Sequence, residues 1–253
     1  VRGVSLDLVV RPFGWKGTSA SLRQTVISSL QQNLGVQADE LVRRAGRGGA
    51  LGNGPAEDPD ADGVTHEATE GMVTALTTFL SALTLPIEDV LMEGPYAIQI
   101  GKGMRQFSSL GCADCHVPEL PLNGTVVHLG PTSESQPVVD LAPLLATRPG
   151  QPHVARLYSD LRRHNMGDEL SESRGYLGIP KHLWMTPPLW GLSATGPYLH
   201  DGRAGDVNQA ILAHGGEAEA SRKAYAALPV VESAALRLFL VSLTRSTRLE
   251  FKP

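Results

Sequence analysis

Residues 112–116 read Cys-Ala-Asp-Cys-His, and Cys112 and Cys115 are the only 2 cysteines in the 253-residue chain. C-x-x-C-H is the spacing at which two thiols attach a haem covalently and the next histidine stands beneath the iron. Cys112 and Cys115 would form the thioethers, and His116 would be the proximal ligand. The same residues could be half of a zinc site or a redox dithiol. Zinc needs a second Cys/His pair at ligand spacing, and a redox dithiol belongs in a βαβ setting; neither accompanies this motif. Covalent haem is the reading kept. It implies a compartment, because such attachment takes place outside the bacterial cytoplasm, so a periplasmic or extracytoplasmic location is expected.

Positioning such a group requires helices, and the hydrophobic spacing supplies them. Residues 18–33 place Leu22, Val26, Ile27 and Leu30 on one face. Residues 69–83 form a second amphipathic stretch, with Pro86 beyond its end. Residues 96–110 lead into the haem motif. Residues 207–213 and 230–243 complete the set, with Leu236, Leu240 and Leu243 on one side of the last. Gly, Pro and Asp mark 43–63 as loop, and 117–155 reads as a long loop with a short strand at 125–129. Almost no β pattern is visible. The expected fold is mainly α: a cytochrome-c-like helical haem domain with long loops over 95–253, preceded by an incomplete related helical module over 1–94. The boundary falls near Gly94-Pro95.

Composition narrows the function. The net charge of −4 is mild, and Lys and Arg are scattered, which argues against nucleic acid. No apolar run reaches membrane-spanning length. The chain opens at Val1 without Met or a signal peptide, so Val1 is read as a processed, truncated or first-ordered residue and not a translation start. Residues 15–27 (WKGTSASLRQTVI) also echo residues 200–212 (HDGRAGDVNQAIL), with Gly17 matching Gly202 and Gln24 matching Gln209. Such self-similarity suggests two related modules.

Gly103-x-x-x-Phe107 before the haem motif resembles the opening helix of cytochrome c domains. A small residue there lets the first and last helices cross closely, with Phe239-Leu240 as the partner. Thr186-Pro187-Pro188-Leu189-Trp190-Gly191, Pro197-Tyr198-Leu199-His200-Asp201-Gly202-Arg203 and the run from Ala210 through His214 to Ala218 follow in order. Together with Arg11–Gly17 and the stretch from Asp160 to Gly167, these resemble the bacterial di-haem cytochrome c peroxidase superfamily. The likeness is closest to its di-haem, thiol oxidoreductase-like members, and it covers nearly the whole chain. Members carry two C-x-x-C-H sites and this chain one, so the first haem site is expected upstream of Val1, with its presence on another chain or its loss as the alternatives. Met185 stands where the family has Arg, which removes a residue that would hold a haem propionate.

The resemblance implies His214 as the second axial ligand, and a neutral imidazole suits iron. Met166, His164 and Met185 are rivals, and a helix-capping role for His214 is the plain alternative. His200 and Arg203 would lie beside the haem or its propionates, Arg203 through its planar fork. A surface salt bridge is the competing role for Arg203. Trp190 and Trp184 would line the pocket or core. Trp15 matches the tryptophan between the haems of the peroxidases and could relay electrons, or simply pack. Asp58, Asp60 and Asp62 before Gly63 match the first half of a calcium loop, although its second half is irregular. The alternative is a solvated acidic turn, with His66 facing solvent. The function expected is electron transfer through a bis-His haem within a di-haem peroxidase-like oxidoreductase. The competing expectation is a single-haem carrier or cytochrome subunit. Either would need a redox partner protein or another haem domain.

Overall fold

A computed structural model describes residues 3–45, 63–64, 66–83, 86–87, 96–131, 138–145 and 153–245. Among these residues the α-helices are α1 (Leu22–Leu34), α2 (Asp39–Ala45), α3 (Glu70–Ser81), α4 (Ala97–Ser109), α5 (Val207–Leu212), α6 (Glu219–Ala226) and α7 (Val230–Ser242). Five match the amphipathic stretches. The other two, α2 and α6, have only 7 and 8 residues, too few turns for a periodicity to stand out.

The fold is mixed, which corrects the expectation of a mainly α chain. Short antiparallel ladders pair β1 (Pro86–Ile87) with β8 (Thr244–Arg245), and β2 (Leu120–Pro121) with β5 (Val154–Ala155). Two more pair β3 (Val126–His128) with β4 (Val138–Asp140), and β6 (Arg163–Asn165) with β7 (Leu183–Met185). Strands of two or three residues are too short to alternate, and most of their partners are distant in sequence. The strand expected at 125–129 is β3.

Contacts gather the chain into two compact units. The larger comprises Val1–Thr18, Thr84–Asn123 and Leu144–Pro253, and the smaller Ser19–Leu83 and Gly124–Pro143. This differs from one boundary near Gly94-Pro95, a position outside the described residues. The first residues belong with the larger unit because Lys16 donates to the carbonyls of Lys181 (2.7 Å) and Leu183 (3.1 Å). In return, Arg163 donates to the carbonyls of Lys16 and Gly17.

In the larger unit α4 and α7 cross at Gly103. A Cβ there would overlap the Ala235 carbonyl oxygen and lie 2.8 Å from Phe239 Cβ. The crossing buries Ile100, Phe107, Leu236, Phe239 and Leu240. Outside it, Glu232 accepts from Lys102 and from Gln106, each at 2.6 Å.

In the smaller unit Val26, Ile27, Ala38, Leu41, Ala68 and Val73 form the core. Beside it the Arg23–Glu40 pair is almost wholly buried. Arg23 also donates to Thr74 Oγ1 and to the Leu129 carbonyl, both at 2.8 Å. Removing one partner would strand a charge, which costs about 3–5 kcal/mol. Glu40→Ala should therefore lower the urea midpoint sharply, whereas Arg23→Met with Glu40→Leu should recover most of the loss. Equal losses in the single and double variants would contradict this.

The internal echo is structural. Ser21 Oγ accepts from Gln24 N–H and Gln24 Oε1 from Ala20 N–H at the start of α1. Asp206, Gln209 and Gly205 repeat this arrangement at the start of α5. The turns before them also match: Gly14 and Gly17 have φ of 81° and 62°, and Leu199 and Gly202 have 69° and 71°. Among the described residues no helix is long and apolar enough to cross a membrane.

Candidate functional site

α4 delivers the chain to Gly111, whose φ of 81° turns it into a single 3-10 turn, Cys112–Asp114. Both cysteines are free and half-buried. Burial pushes the Cys112 thiol up to about 11, so it stays protonated and slow to oxidise. The loop is laced to a second segment: Ser159 N–H bonds the Val117 carbonyl and Asp160 N–H the Cys115 carbonyl, both at 2.9 Å. That segment takes an unusual path, with Tyr158 at φ 51° and Leu161 at φ 56°. It is held by the buried Ser159, whose hydroxyl donates to the Thr186 carbonyl at 2.6 Å and accepts from Leu161 N–H at 3.0 Å. The result aims the Tyr158 carbonyl at His116 Nδ1, 3.0 Å away. Phe107, Tyr158 and Phe239 pack edge to face beneath, with centroids 5.5–6.0 Å apart.

His214 follows α5. Its Nδ1 lies 2.7 Å from the Ala210 carbonyl, so the capping role is real. The His116 and His214 ring centroids are 6.4 Å apart, with planes at 51°. A carbonyl can only accept, so in both rings Nδ1 carries the proton and Nε2 keeps its lone pair. Burial lowers both pKa values, that of His116 to about 4 with the neighbouring His214 adding to the effect. Both rings are therefore neutral near pH 7. Imidazole nitrogens stand about 2 Å from a bound transition metal, and the spacing admits one metal atom between the rings. Two thiols and two neutral imidazoles are thus a donor set that fits a haem.

His164 is not free to join that set, which removes it as a rival ligand. Its Nε2 lies 2.9 Å from Asp160 Oδ2 and its Nδ1 3.1 Å from Glu217 Oε2. Asp160, and then the Cys115 sulfur and Glu217, raise its pKa from 6.5 to about 11 against the cost of burial. The Cys115 share disappears once that sulfur is a thioether. A histidine whose folded-state pKa is raised stabilises fully below its unfolded value, and loses the effect as pH rises through the folded one. In the haem-free protein the stability gap between wild type and His164→Gln should therefore be greatest below about pH 6.5 and shrink toward about pH 11. A gap constant over that range in urea unfolding would contradict the assignment.

The remaining candidates have other contacts. Met166 is half-buried, and its carbonyl crowds Gly215. Met185 is buried in β7, opposite Arg163. His200 stacks on Trp184 at 3.8 Å, and the Lys16 ammonium covers the same ring at 3.6 Å. Arg203 binds Asp201 and the Glu169 carbonyl at the surface, the salt-bridge alternative. Trp190 Nε1 donates to the Arg156 carbonyl at 2.8 Å. Trp15 is exposed, and so is His66, which bonds Asp39 at 2.9 Å. Asp58, Asp60 and Asp62 lie outside the described residues. Sequence reasoning missed Glu217. Its signal was an acid three residues past His214, with no indication of what it would meet.

Paired neutral imidazoles beside two free thiols fit a haem-protein site. The family described as "Di-haem oxidoreductase, putative peroxidase" matches residues 4–243, and the chain belongs to it. Its cofactor is haem and its chemistry is oxidation–reduction. No curated protein and no solved structure matches the chain.

Proposed function

We propose that the chain carries one haem c, attached through Cys112 and Cys115 and held axially by His116 and His214, and that it transfers electrons within a di-haem peroxidase-like oxidoreductase. The observation that carries this is the pair of neutral rings at 6.4 Å, each tied at Nδ1 to a backbone carbonyl. Cys112 and Cys115 would hold the haem through thioethers, each S–H adding across one vinyl group, so no oxidant would be needed. The haem supplies one-electron exchange at iron. The protein's part is to keep both ligands neutral and aimed. Two nitrogen ligands give a lower potential than His/Met ligation. With His116 and His214 both bound to the iron, the site would leave no place for a substrate. The redox partner is then another protein or haem domain, and the compartment is periplasmic.

The internal repeat favours the di-haem reading over a single-haem carrier. Continued in sequence register, Ser29 falls opposite His214, although α1 runs on to Leu34 whereas α5 ends at Leu212. Ser29 lines an apolar groove of the smaller unit with Val26, Leu30, Leu76 and Leu80. A haem carried there by a segment outside this sequence would lack an imidazole from that position and would be the open, peroxide-reactive one.

The test is the isolated protein. Haem that survives denaturing electrophoresis, together with reduced haem that does not bind carbon monoxide at the Cys112–His116 site, is the expected result. Extractable haem, or carbon monoxide binding at that site as fast as in His214→Ala, would overturn the proposal.

A further inference from the structure

Both ring nitrogens of His164 face carboxylate oxygens, at 2.9 Å and 3.1 Å. Ionised carboxylates only accept, so both nitrogens must donate and the ring is an imidazolium. Its two partners belong to different stretches of chain. Asp160 is bonded through its own N–H to the Cys115 carbonyl, one residue before His116. Glu217 lies three residues past His214, and its second oxygen accepts from Asn165 N–H at 3.0 Å. The backbones close up around this bridge: a Cβ on Gly215 would lie 2.9 Å from the Met166 oxygen, and one on Gly216 2.6 Å from Gly167 N. The Gly215-Gly216 pair is what permits the approach. The His164 side chain is only 17% exposed, so solvent screens the bridge weakly.

We propose that His164 is a positioning residue that, through Asp160 and Glu217, clasps the segment bearing His116 to the segment bearing His214 and fixes the spacing of the two rings. The inference rests on the bis-His reading. It goes beyond it in naming what holds His214 in place.

The experiment compares His164→Gln, Glu217→Gln, the double variant and His164→Arg in the haem-loaded protein, by cyanide binding to ferric haem and by ferric absorption spectra. Cyanide enters only when His214 leaves. Loss of one charge-assisted hydrogen bond should speed its binding about tenfold in each Gln variant. The double variant should be no faster than either single one, because both remove the same bridge. Arginine, which can span two carboxylates, should restore slow binding. Should His164→Gln not fold, Glu217→Gln, which removes only a charge, decides the matter. Unchanged cyanide rates with lowered melting temperatures would mean a merely structural role, and additive effects in the double variant would mean no bridge. Either result overturns the clasp. His214→Ala is run alongside: if it stays low-spin the bis-His reading itself has failed, whereas if it turns high-spin and the clasp variants behave as wild type, only the clasp has failed.

Discussion

His214→Ala should retain its covalent haem and change its ferric iron from low-spin to high-spin almost completely. On the proposed ligation the variant loses one strong nitrogen ligand, and the rival ligands have other contacts. His164 has both nitrogens committed to carboxylates. His200 is stacked on Trp184 beneath the Lys16 ammonium. Met166 approaches the His214 loop through its backbone carbonyl. The vacated position should then take up cyanide in the ferric state and carbon monoxide in the ferrous state, with added imidazole restoring the low-spin spectrum. His200→Ala is the matched control and should leave the spectrum unchanged. A low-spin His214→Ala spectrum would transfer the ligand role to another residue.

Two glycines on α4 should respond to the same substitution with opposite signs. At Gly103 an added methyl meets the Ala235 carbonyl carbon at 2.7 Å and Phe239 Cβ at 2.8 Å. Both belong to α7, so relief requires the helices to separate and the Ile100–Phe107–Leu236–Phe239 core to open. Overpacking costs about 1–3 kcal/mol where side chains can yield. Here a backbone must yield, and Gly103→Ala should cost at least about 3 kcal/mol, with Gly103→Val abolishing haem incorporation. At Gly101 the nearest atom is the end of the Arg105 side chain at 3.7 Å. Gly101→Ala should stabilise the helix by about 0.5–1 kcal/mol through propensity alone. Melting temperatures of the two haem-loaded variants check both signs, and a tolerated Gly103→Ala would contradict the close crossing.

The parts of this protein legible in the sequence are those whose signals are local. The Cys112–His116 spacing needs no fold to be read. The longer helices declare themselves by apolar period, and Gly103 by its place before the motif. The duplicated helix caps at Ser21 and Asp206 could be suspected from Gln24 and Gln209. Apart from β3, the ladders were not legible, because Leu120 meets Ala155 and Arg163 meets Met185 in runs too short to alternate. Nor was the fate of His164, whose motif made it a rival ligand. Its role is set by Glu217, 53 residues away. Arg203 and His200 show the same limit. Residue type allowed a propionate contact, with no hint that Arg203 also meets Asp201 or that His200 stacks on Trp184. Chemistry-bearing residues are readable as types, but their partners depend on long-range packing.

The most direct measurement is low-temperature EPR of the oxidised, haem-loaded protein. The account predicts a low-spin ferric signal of bis-imidazole type from the Cys112–His116 haem, lost in His214→Ala. A high-spin signal from that haem in the wild-type protein, or a low-spin signal of His/Met type, would contradict it.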